Sequence, residues 1–141
     1  TARVNDAVSS AVANGDCVAF FPEGTTTDGT HLKPFLSSLL QAAINAQAEL
    51  RPVALRYVLP DGSADIAAAY YGNMSMMDSL RNILARKEIR AELIFLEPIS
   101  TSGKHRRDLA RQAEQSISSA LHPAGPRTRP GTTGDLPAAA R

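Results

Sequence analysis

The chain passes from a short apolar run into a polar loop at residues 17–29, which read CVAFFPEGTTTDG. Residues 17–21 are almost wholly apolar, a pattern typical of a strand buried on both faces. Pro22 ends this run, and residues 23–33 are rich in Gly and Thr, which predicts a loop. Pro34 is well placed for the first turn of a following helix. The stretch therefore predicts strand, loop and helix, and open α/β sheets bind ligands where such a strand ends.

Helical and extended patterns alternate along the rest of the chain. Helical spacing of apolar residues predicts helices near 4–14, 34–44, 75–84 and 104–121, and apolar runs predict further strands at 52–59 and 89–96. This order predicts an α/β fold in which helices flank a mostly parallel sheet. Three strands make a narrow sheet with exposed edges, so we expect the fold to be incomplete at the N-terminus of this chain.

Two of these helices have an apolar face that we expect to point inward. Ser75 is a candidate N-cap for the first of them. The expected inward residues are Met76, Met77, Leu80, Ile83 and Leu84 in that helix and Leu109, Ala113, Ile117, Ala120 and Leu121 in the last. From Pro123 onward the chain is rich in Pro, Gly and Thr. We therefore expect one domain over residues 1–121 and a disordered tail over 122–141.

Length and composition limit the class of protein. The chain has 141 residues, enough for one core, and its formal net charge of +1 argues against a protein that coats nucleic acid. Its single cysteine, Cys17, excludes an internal disulfide and is expected to be a small core residue. No run reaches the ~18 apolar residues of a membrane span, and no signal peptide opens the chain. Because Thr1 is not Met, we expect a fragment, and no motif predicts a metal or a resident cofactor.

The polar loop contains side chains that suit a phosphate or glycerol ligand. The carboxylate of Glu23 can accept a hydrogen bond from a substrate hydroxyl, and Gly24 lets the backbone approach a ligand closely. The hydroxyls of Thr25, Thr26 and Thr27 can donate to phosphate or glycerol oxygens, together with free backbone N–H groups. The alternative is a turn-rich connection whose polar groups bond to one another.

Residues 21–25, Phe-Pro-Glu-Gly-Thr, resemble the F-P-E-G-T motif of the glycerolipid acyltransferases, the family that includes bacterial 1-acyl-sn-glycerol-3-phosphate acyltransferase. The resemblance continues through a proline-led apolar run at 50–57, the segment Tyr-Gly-Asn-Met-Ser at 71–75 and an extended run at 91–99. It covers roughly Ala2 to Leu121 in the family's order, so this chain looks like the C-terminal part of such an enzyme.

The resemblance implies transfer of a fatty acyl group from acyl-CoA or acyl carrier protein to the free hydroxyl of a lysophospholipid, 1-acylglycerol-3-phosphate, in phospholipid biosynthesis. It also implies peripheral contact with the cytoplasmic face of the inner membrane and no contact with nucleic acid. By position, the implied substrate-binding residues are Phe21, Pro22, Glu23, Gly24 and Thr25, and more weakly Pro52. Many members have Arg-Ser where this chain has Thr26 and Thr27, which leaves room for a lyso-ornithine lipid as acceptor.

The family's general base is a His with an Asp five residues later, and this chain has no such pair. The residues five positions after His31, His105 and His122 are Leu36, Ala110 and Arg127. We therefore assign no catalytic residue here and expect the base upstream of Thr1. A nonenzymatic lipid- or phosphate-binding α/β module is the alternative from another class. A kinase-like phosphate loop is disfavoured because G-x-x-x-x-G-K-[ST] is absent.

Three further groups have two interpretations each. Residues 104–107, Lys-His-Arg-Arg, form either a solvated face or a contact with anionic lipid headgroups. Met74, Met76 and Met77 either pack in a helix core or line an acyl channel. His31 is either an exposed loop residue or a ligand contact.

Overall fold

The computed structural model describes residues 2–122. In chain order they form α1 (Ala2–Ala13), a 3-10 turn (Ser37–Leu40) continued by α2 (Gln41–Asn45), β1 (Val53–Val58), a second 3-10 turn (Ile66–Ala68), α3 (Met76–Leu84), β2 (Arg90–Phe95) and α4 (Arg106–Leu121). Beyond His122, the predicted tail lies outside the described residues. A search of the helices within 2–122 finds none long and apolar enough to cross a membrane.

The sheet of the described residues consists of β1 and β2 alone. They pair antiparallel, with Val53 opposite Phe95 and Val58 opposite Arg90, and an isolated bridge joins Leu50 to Ile99 beyond the strand ends. The mixed helix-and-sheet class is confirmed, whereas the mostly parallel sheet is not seen. The reason is that α3 packs against the 3-10 turn that follows β1, and the chain then doubles back along β1.

The predicted strand at residues 17–21 does not form, since this segment pairs with no other strand in the described part of the chain. Phe20 packs against the core, whereas Phe21 is 76% exposed and the thiol-bearing Cys17 is exposed. A buried strand needs hydrogen-bonded neighbours on its edges, and residues 2–122 supply none here. The expectation that Cys17 is a core residue is therefore wrong for this structure.

The helix predicted to begin at Pro34 begins three residues later, at Ser37. The backbone N–H of Leu36 donates to the carbonyl oxygen of Pro22 at 2.8 Å, and the N–H of Phe35 donates to Oε2 of Glu114 at 3.1 Å. Leu36 has extended backbone angles, φ −70° and ψ 96°, so the helix starts after it, and the two hydrogen bonds hold residues 35 and 36 in place ahead of it. The loop that starts at Pro22 is thereby held against α2 and α4.

Helix α3 begins as predicted but points its apolar residues away from the protein. Its N-cap is Ser75, whose hydroxyl accepts from the N–H of Asp78 at 3.1 Å. Ser79 is its only buried residue, whereas all five predicted inward residues are exposed: Met76 75%, Met77 69%, Leu80 44%, Ile83 38% and Leu84 74%. The prediction that these five residues point into the core is wrong, because nothing in residues 2–122 covers this face. Instead, α3 packs through the side that bears Ser79, against the second 3-10 turn.

Helix α4 is the centre of the core. Leu109, Ala113 and Ile117 are buried, as predicted, while Ala120 and Leu121 are half-buried. Around them lie the other core members and their partly buried neighbours: Leu40, Ile99 and Ala110, with Phe20, Phe35, Ile44 and Leu50. The core therefore lies between α4, the first 3-10 turn and the buried face of β1.

The opposite face of the sheet is apolar and exposed. Val53, Leu55 and Tyr57 lie on one face of β1, as the alternation predicts, opposite Phe95, Leu93 and Ala91 of β2. Leu93 and Phe95 are 58% and 66% exposed. Leu55 and Tyr57 are 38% and 36% exposed, so the described residues cover the β1 part of this face in part and leave the β2 part open.

A buried ion pair joins the connection after β1 to the end of α3. The carboxylate of Asp65 is 4% exposed and accepts from the guanidinium of Arg86, which is 26% exposed. The backbone N–H of Asp65 also donates to the carbonyl oxygen of Tyr57 at 3.0 Å. The pair therefore fixes α3 relative to β1.

Candidate functional site

The F-P-E-G-T segment forms a tight turn on the protein surface. The N–H of Gly24 donates to the carbonyl oxygen of Phe21 at 3.2 Å, and the carbonyl oxygen of Pro22 holds the N–H of Leu36. The ring of Phe21 points into solvent, while Pro22 and Glu23 are half-buried. The segment is therefore anchored at Pro22 and free to contact a ligand through Phe21.

Glu23 closes the loop that follows. Its Oε2 accepts from the backbone N–H of Lys33 at 2.9 Å, which joins the two ends of residues 23–33. One carboxylate oxygen is thus used within the protein, and Oε1 has no hydrogen bond to any of residues 2–122. A carboxylate has about four lone-pair sites, so Glu23 can hold the loop and accept from a ligand hydroxyl at once.

Gly24 adopts a backbone conformation that side chains disfavour. Its φ is +67°, and a Cβ built there would lie 2.9 Å from Cδ1 of Leu36. Leu36 is 50% exposed and can turn aside, so the positive φ is the larger obstacle.

We expect Gly24→Ala to lower the free energy of unfolding by about 1–2 kcal/mol, the cost of a left-handed conformation for a residue with a Cβ. Gly29→Ala is the matched control, because Gly29 has a φ of +83° but open space around its Cβ position. Urea unfolding should give similar losses for both variants. A loss for Gly24→Ala several times larger would show that Leu36 cannot move, and Leu36→Ala should then cancel the excess.

The threonines of the loop bond largely within the protein. The hydroxyl of Thr26 donates to the carbonyl oxygen of Tyr70, and that of Thr27 donates to the carbonyl oxygen of His31 at 3.0 Å. Thr25 is exposed and makes no hydrogen bond to the described residues. The hydroxyls of Thr26 and Thr27 are therefore bonded within the protein, as a self-bonded turn requires, and that of Thr25 is uncommitted among the described residues.

Asp28 carries the clearest electrostatic feature of the loop. Its Oδ1 accepts from the hydroxyl of Thr30 at 2.7 Å and from the N–H of Thr30 at 2.9 Å, and it lies 3.6 Å from Nδ1 of His31. The side-chain hydrogen bond from Thr30 is the main reason that the pKa of Asp28 is held below its ordinary value. This carboxylate is therefore ionised at neutral pH.

An open cleft of about 260 Å³ lies beside this loop, lined by Thr26, Thr27, Asp28, His31, Lys33, Tyr71 and Gly72. Of the residues weighed from the sequence, it brings together Thr26, Thr27 and His31. Glu23 reaches it only through its bond to Lys33, and Phe21, Pro22, Gly24 and Thr25 lie outside it. Pro52 is buried at the start of β1, where its carbonyl oxygen accepts from the N–H of Leu96 at 3.0 Å.

Sequence reasoning missed Asp28, Lys33, Tyr71 and Gly72 as lining residues. Asp28 and Lys33 carried a signal, since they are charged side chains within the loop that the motif opens. Tyr71 and Gly72 had none, because the bond between Thr26 and Tyr70 joins residues 44 positions apart.

Two of the three histidines, His31 and His105, make side-chain contacts within the protein. His31 is 61% exposed and stands three residues after Asp28, and His105 caps α4 by accepting from the N–H of Arg107 at 3.3 Å. His122 is the residue that follows the last turn of α4. Among residues 2–122, no group of three or more His, Cys, Asp or Glu side chains is arranged to hold a metal ion.

Comparison with known proteins identifies the relatives of this chain. The family model described as Acyltransferase matches residues 1–56. The chain is 34% identical over 118 residues to a lyso-ornithine lipid O-acyltransferase of Pseudomonas aeruginosa, a match that covers 84% of this chain and 45% of that protein. A second enzyme of that name, from Rhodobacter capsulatus, is 29% identical over 78% of this chain and 42% of its own length. No solved structure matches.

A 1-acyl-sn-glycerol-3-phosphate acyltransferase of Neisseria gonorrhoeae is 34% identical over 93 residues, which is 66% of this chain and 36% of that protein. The chain therefore spans less than half the length of each of these relatives. With the F-P-E-G-T turn at 21–25 and these matches, the chain belongs to the glycerolipid acyltransferase family.

Proposed function

We propose that the protein transfers a fatty acyl group from a thioester, acyl-CoA or acyl carrier protein, to the free hydroxyl of a lysophospholipid-type acceptor. The relatives it matches are enzymes of this kind, and the F-P-E-G-T turn carries the proposal. The observation that carries this proposal is the carboxylate of Glu23. Its Oε2 holds the loop through the N–H of Lys33, and its Oε1 has no partner among residues 2–122. The hydroxyl of the acceptor donates to this oxygen.

The remaining motif residues support the acceptor in different ways. Thr25 offers an uncommitted hydroxyl, Gly24 allows close approach, and the exposed ring of Phe21 packs on apolar parts of the lipid. Pro52 is buried, so its part is to hold the start of β1. The proton of the acceptor hydroxyl needs a general base, and we place that base in a part of the whole protein other than residues 2–122.

Two acceptors are candidates, 1-acylglycerol-3-phosphate and lyso-ornithine lipid. One observation favours the second: the cleft contains the ionised carboxylate of Asp28 together with the ammonium group of Lys33. An ornithine headgroup carries both an ammonium group, which Asp28 attracts, and a carboxylate, which Lys33 attracts. The phosphate of 1-acylglycerol-3-phosphate is attracted by Lys33 but repelled by Asp28. Thr26 also stands where many family members have an arginine.

We further propose that the protein works as a peripheral protein on the cytoplasmic face of the inner membrane, and that residues 17–21 join a larger, mostly parallel sheet in the whole protein. The apolar segment 17–21, which pairs with no strand among residues 2–122, supports the larger sheet. The lipid nature of the acceptors supports membrane contact.

Acyl transfer by the purified whole protein tests this function. The assay supplies labelled acyl-CoA or acyl carrier protein with each lysolipid in turn, and we expect labelled diacyl product, with lyso-ornithine lipid preferred. Asp28→Asn should reduce that preference about fivefold, because it removes one charged contact at an exposed position. Binding of lysolipid without any product would overturn the enzyme and support a nonenzymatic lipid-binding module.

A further inference from the structure

We propose that α3 is an in-plane membrane helix whose exposed apolar stripe enters the headgroup region of an anionic bilayer. The stripe is defined as Met76, Met77, Leu80, Ile83 and Leu84. This inference rests on the proposed function in one respect: a lipid acceptor is supplied by a bilayer.

The shape of the stripe suits a flat apolar boundary. At about 100° per residue, its five side chains lie within about 120° of the helix circumference. Their exposed fractions run from 38% for Ile83 to 75% for Met76, so the stripe is open along its whole length. In a helix on the surface of a soluble protein the apolar face points toward the core, whereas α3 buries the polar Ser79 and exposes five large apolar residues. A helix that lies in the membrane interface has this arrangement.

The charges around α3 are mostly positive. Four basic residues, Arg81, Arg86, Lys87 and Arg90, fall between residues 76 and 90, against the two acidic residues Asp78 and Glu88. Arg86 and Arg90 are paired with Asp65 and Glu88. Arg81 and Lys87 are exposed and make no ion pair within residues 2–122.

These two free cations are available to anionic headgroups at the edge of the stripe and just beyond the helix. The one carboxylate of α3, on Asp78, projects about 160° from the centre of the stripe on an ideal helix, and it borders an open surface cleft shared with Met77, Leu80 and Leu84. Asp78 is also held there by the hydroxyl of Ser75 at 2.7 Å. Counted together, Arg81 and Lys87 outweigh the one carboxylate of Asp78, and this positive balance suits an anionic surface.

The stripe is continuous with the candidate site. Tyr71 and Gly72, which line the cleft, precede α3 by only a few residues, and Thr26 of the loop donates to the carbonyl oxygen of Tyr70. Tyr70 is 49% exposed, and tyrosine favours the level of lipid headgroups. A bilayer seated on α3 therefore brings headgroups to the mouth of the cleft.

Co-sedimentation with vesicles tests the stripe. We expect the chain to bind vesicles of equal parts phosphatidylglycerol and phosphatidylcholine more tightly than pure phosphatidylcholine, with binding that weakens as salt rises. Met77→Ser with Leu84→Ser should lower the partition coefficient about tenfold or more. Leu93→Ser with Phe95→Ser is the matched control, because these sheet residues are about equally exposed, and it should leave binding unchanged. Equal losses from both pairs would overturn the proposal.

The cations are tested separately. Arg81→Gln and Lys87→Gln should each weaken binding to the anionic vesicles by about fivefold and leave binding to pure phosphatidylcholine unchanged. Because both side chains are exposed and unpaired, neither change should lower the melting temperature. Unchanged binding to anionic vesicles would contradict the charge argument.

A depth measurement decides between a bilayer and a protein partner. The chain has no tryptophan, so Leu84→Trp and Phe95→Trp each introduce a single probe. Brominated phosphatidylcholine in the anionic vesicles should quench the probe at position 84 and not the one at 95. An unquenched probe at 84 overturns the proposal, as does a concentration-dependent dimer that only the stripe variant abolishes. The vesicle experiments contain no thioester, so they do not depend on acyl transfer. A protein that binds vesicles but transfers no acyl group would refute the proposed activity and leave the membrane proposal standing.

Discussion

Arg86→Ala should destabilise the protein by about 3–5 kcal/mol, well beyond the loss expected for Gly24→Ala. The substitution leaves the carboxylate of Asp65 at 4% exposure without its cation, and a buried charge that loses its partner carries the full cost of desolvation. Arg86 itself is 26% exposed, so water replaces part of the lost contact and the result should fall near the lower end of that range.

Urea unfolding followed by circular dichroism measures this loss. Arg90→Ala is the matched control, because Arg90 pairs with Glu88 at 3.2 Å while both side chains are more than half exposed. Exposed pairs contribute about 0–1 kcal/mol, so this variant should unfold close to the parent. Similar losses for Arg86→Ala and Arg90→Ala would mean that the connection between β1 and α3 relaxes to let water reach Asp65.

The second large effect concerns Glu23. In the whole protein, Glu23→Gln should lower kcat/KM for the lysolipid acceptor about tenfold to a hundredfold, because a hydrogen bond to a charged group is worth ~1.5–3 kcal/mol. Glutamine keeps the size and one carbonyl oxygen, so it can still accept from the N–H of Lys33. The melting temperature should therefore stay close to that of the parent, and kcat/KM for the thioester should change far less.

Two further variants separate binding from loop closure. Glu23→Ala removes both acceptors and should lose stability as well as activity, while Glu97→Gln changes an exposed carboxylate elsewhere and should alter neither. A lower melting temperature for Glu23→Gln with normal kinetics would assign Glu23 to the loop alone. Wild-type kinetics and stability together would remove it from the site.

Sequence patterns predicted the elements whose cause is local. Ser75 caps α3 with its own hydroxyl, and Leu109, Ala113 and Ile117 of α4 are buried at helical spacing. The end of α1 near residue 14 was also predicted, and Gly15 takes a φ of +91° just after it. These features depend on residues within a few positions of one another, which is why the sequence alone is sufficient for them.

Features set by distant partners were not predictable in the same way. Residues 34–36 have a good helical signal in Pro34, yet Phe35 and Leu36 give their N–H groups to Glu114 and Pro22. The direction of β2 depends on where α3 packs, and no pattern within either strand encodes it. The candidate site also has both kinds of feature. Glu23 was found from a local motif, whereas Tyr71 lines the cleft only because of contacts between residues far apart in the chain.

The hydrogen bond from Phe35 to Glu114 shows that the residues matched by the family model are fewer than the residues that fold together. The family model ends at residue 56, but the acceptor for Phe35 stands 79 positions further along the chain. Leu40 is buried in the same way against Ile99 and Leu109. A gene trimmed to residues 1–56 would therefore encode the F-P-E-G-T turn without the residues of α4 and the Ile99 side chain that hold it in place.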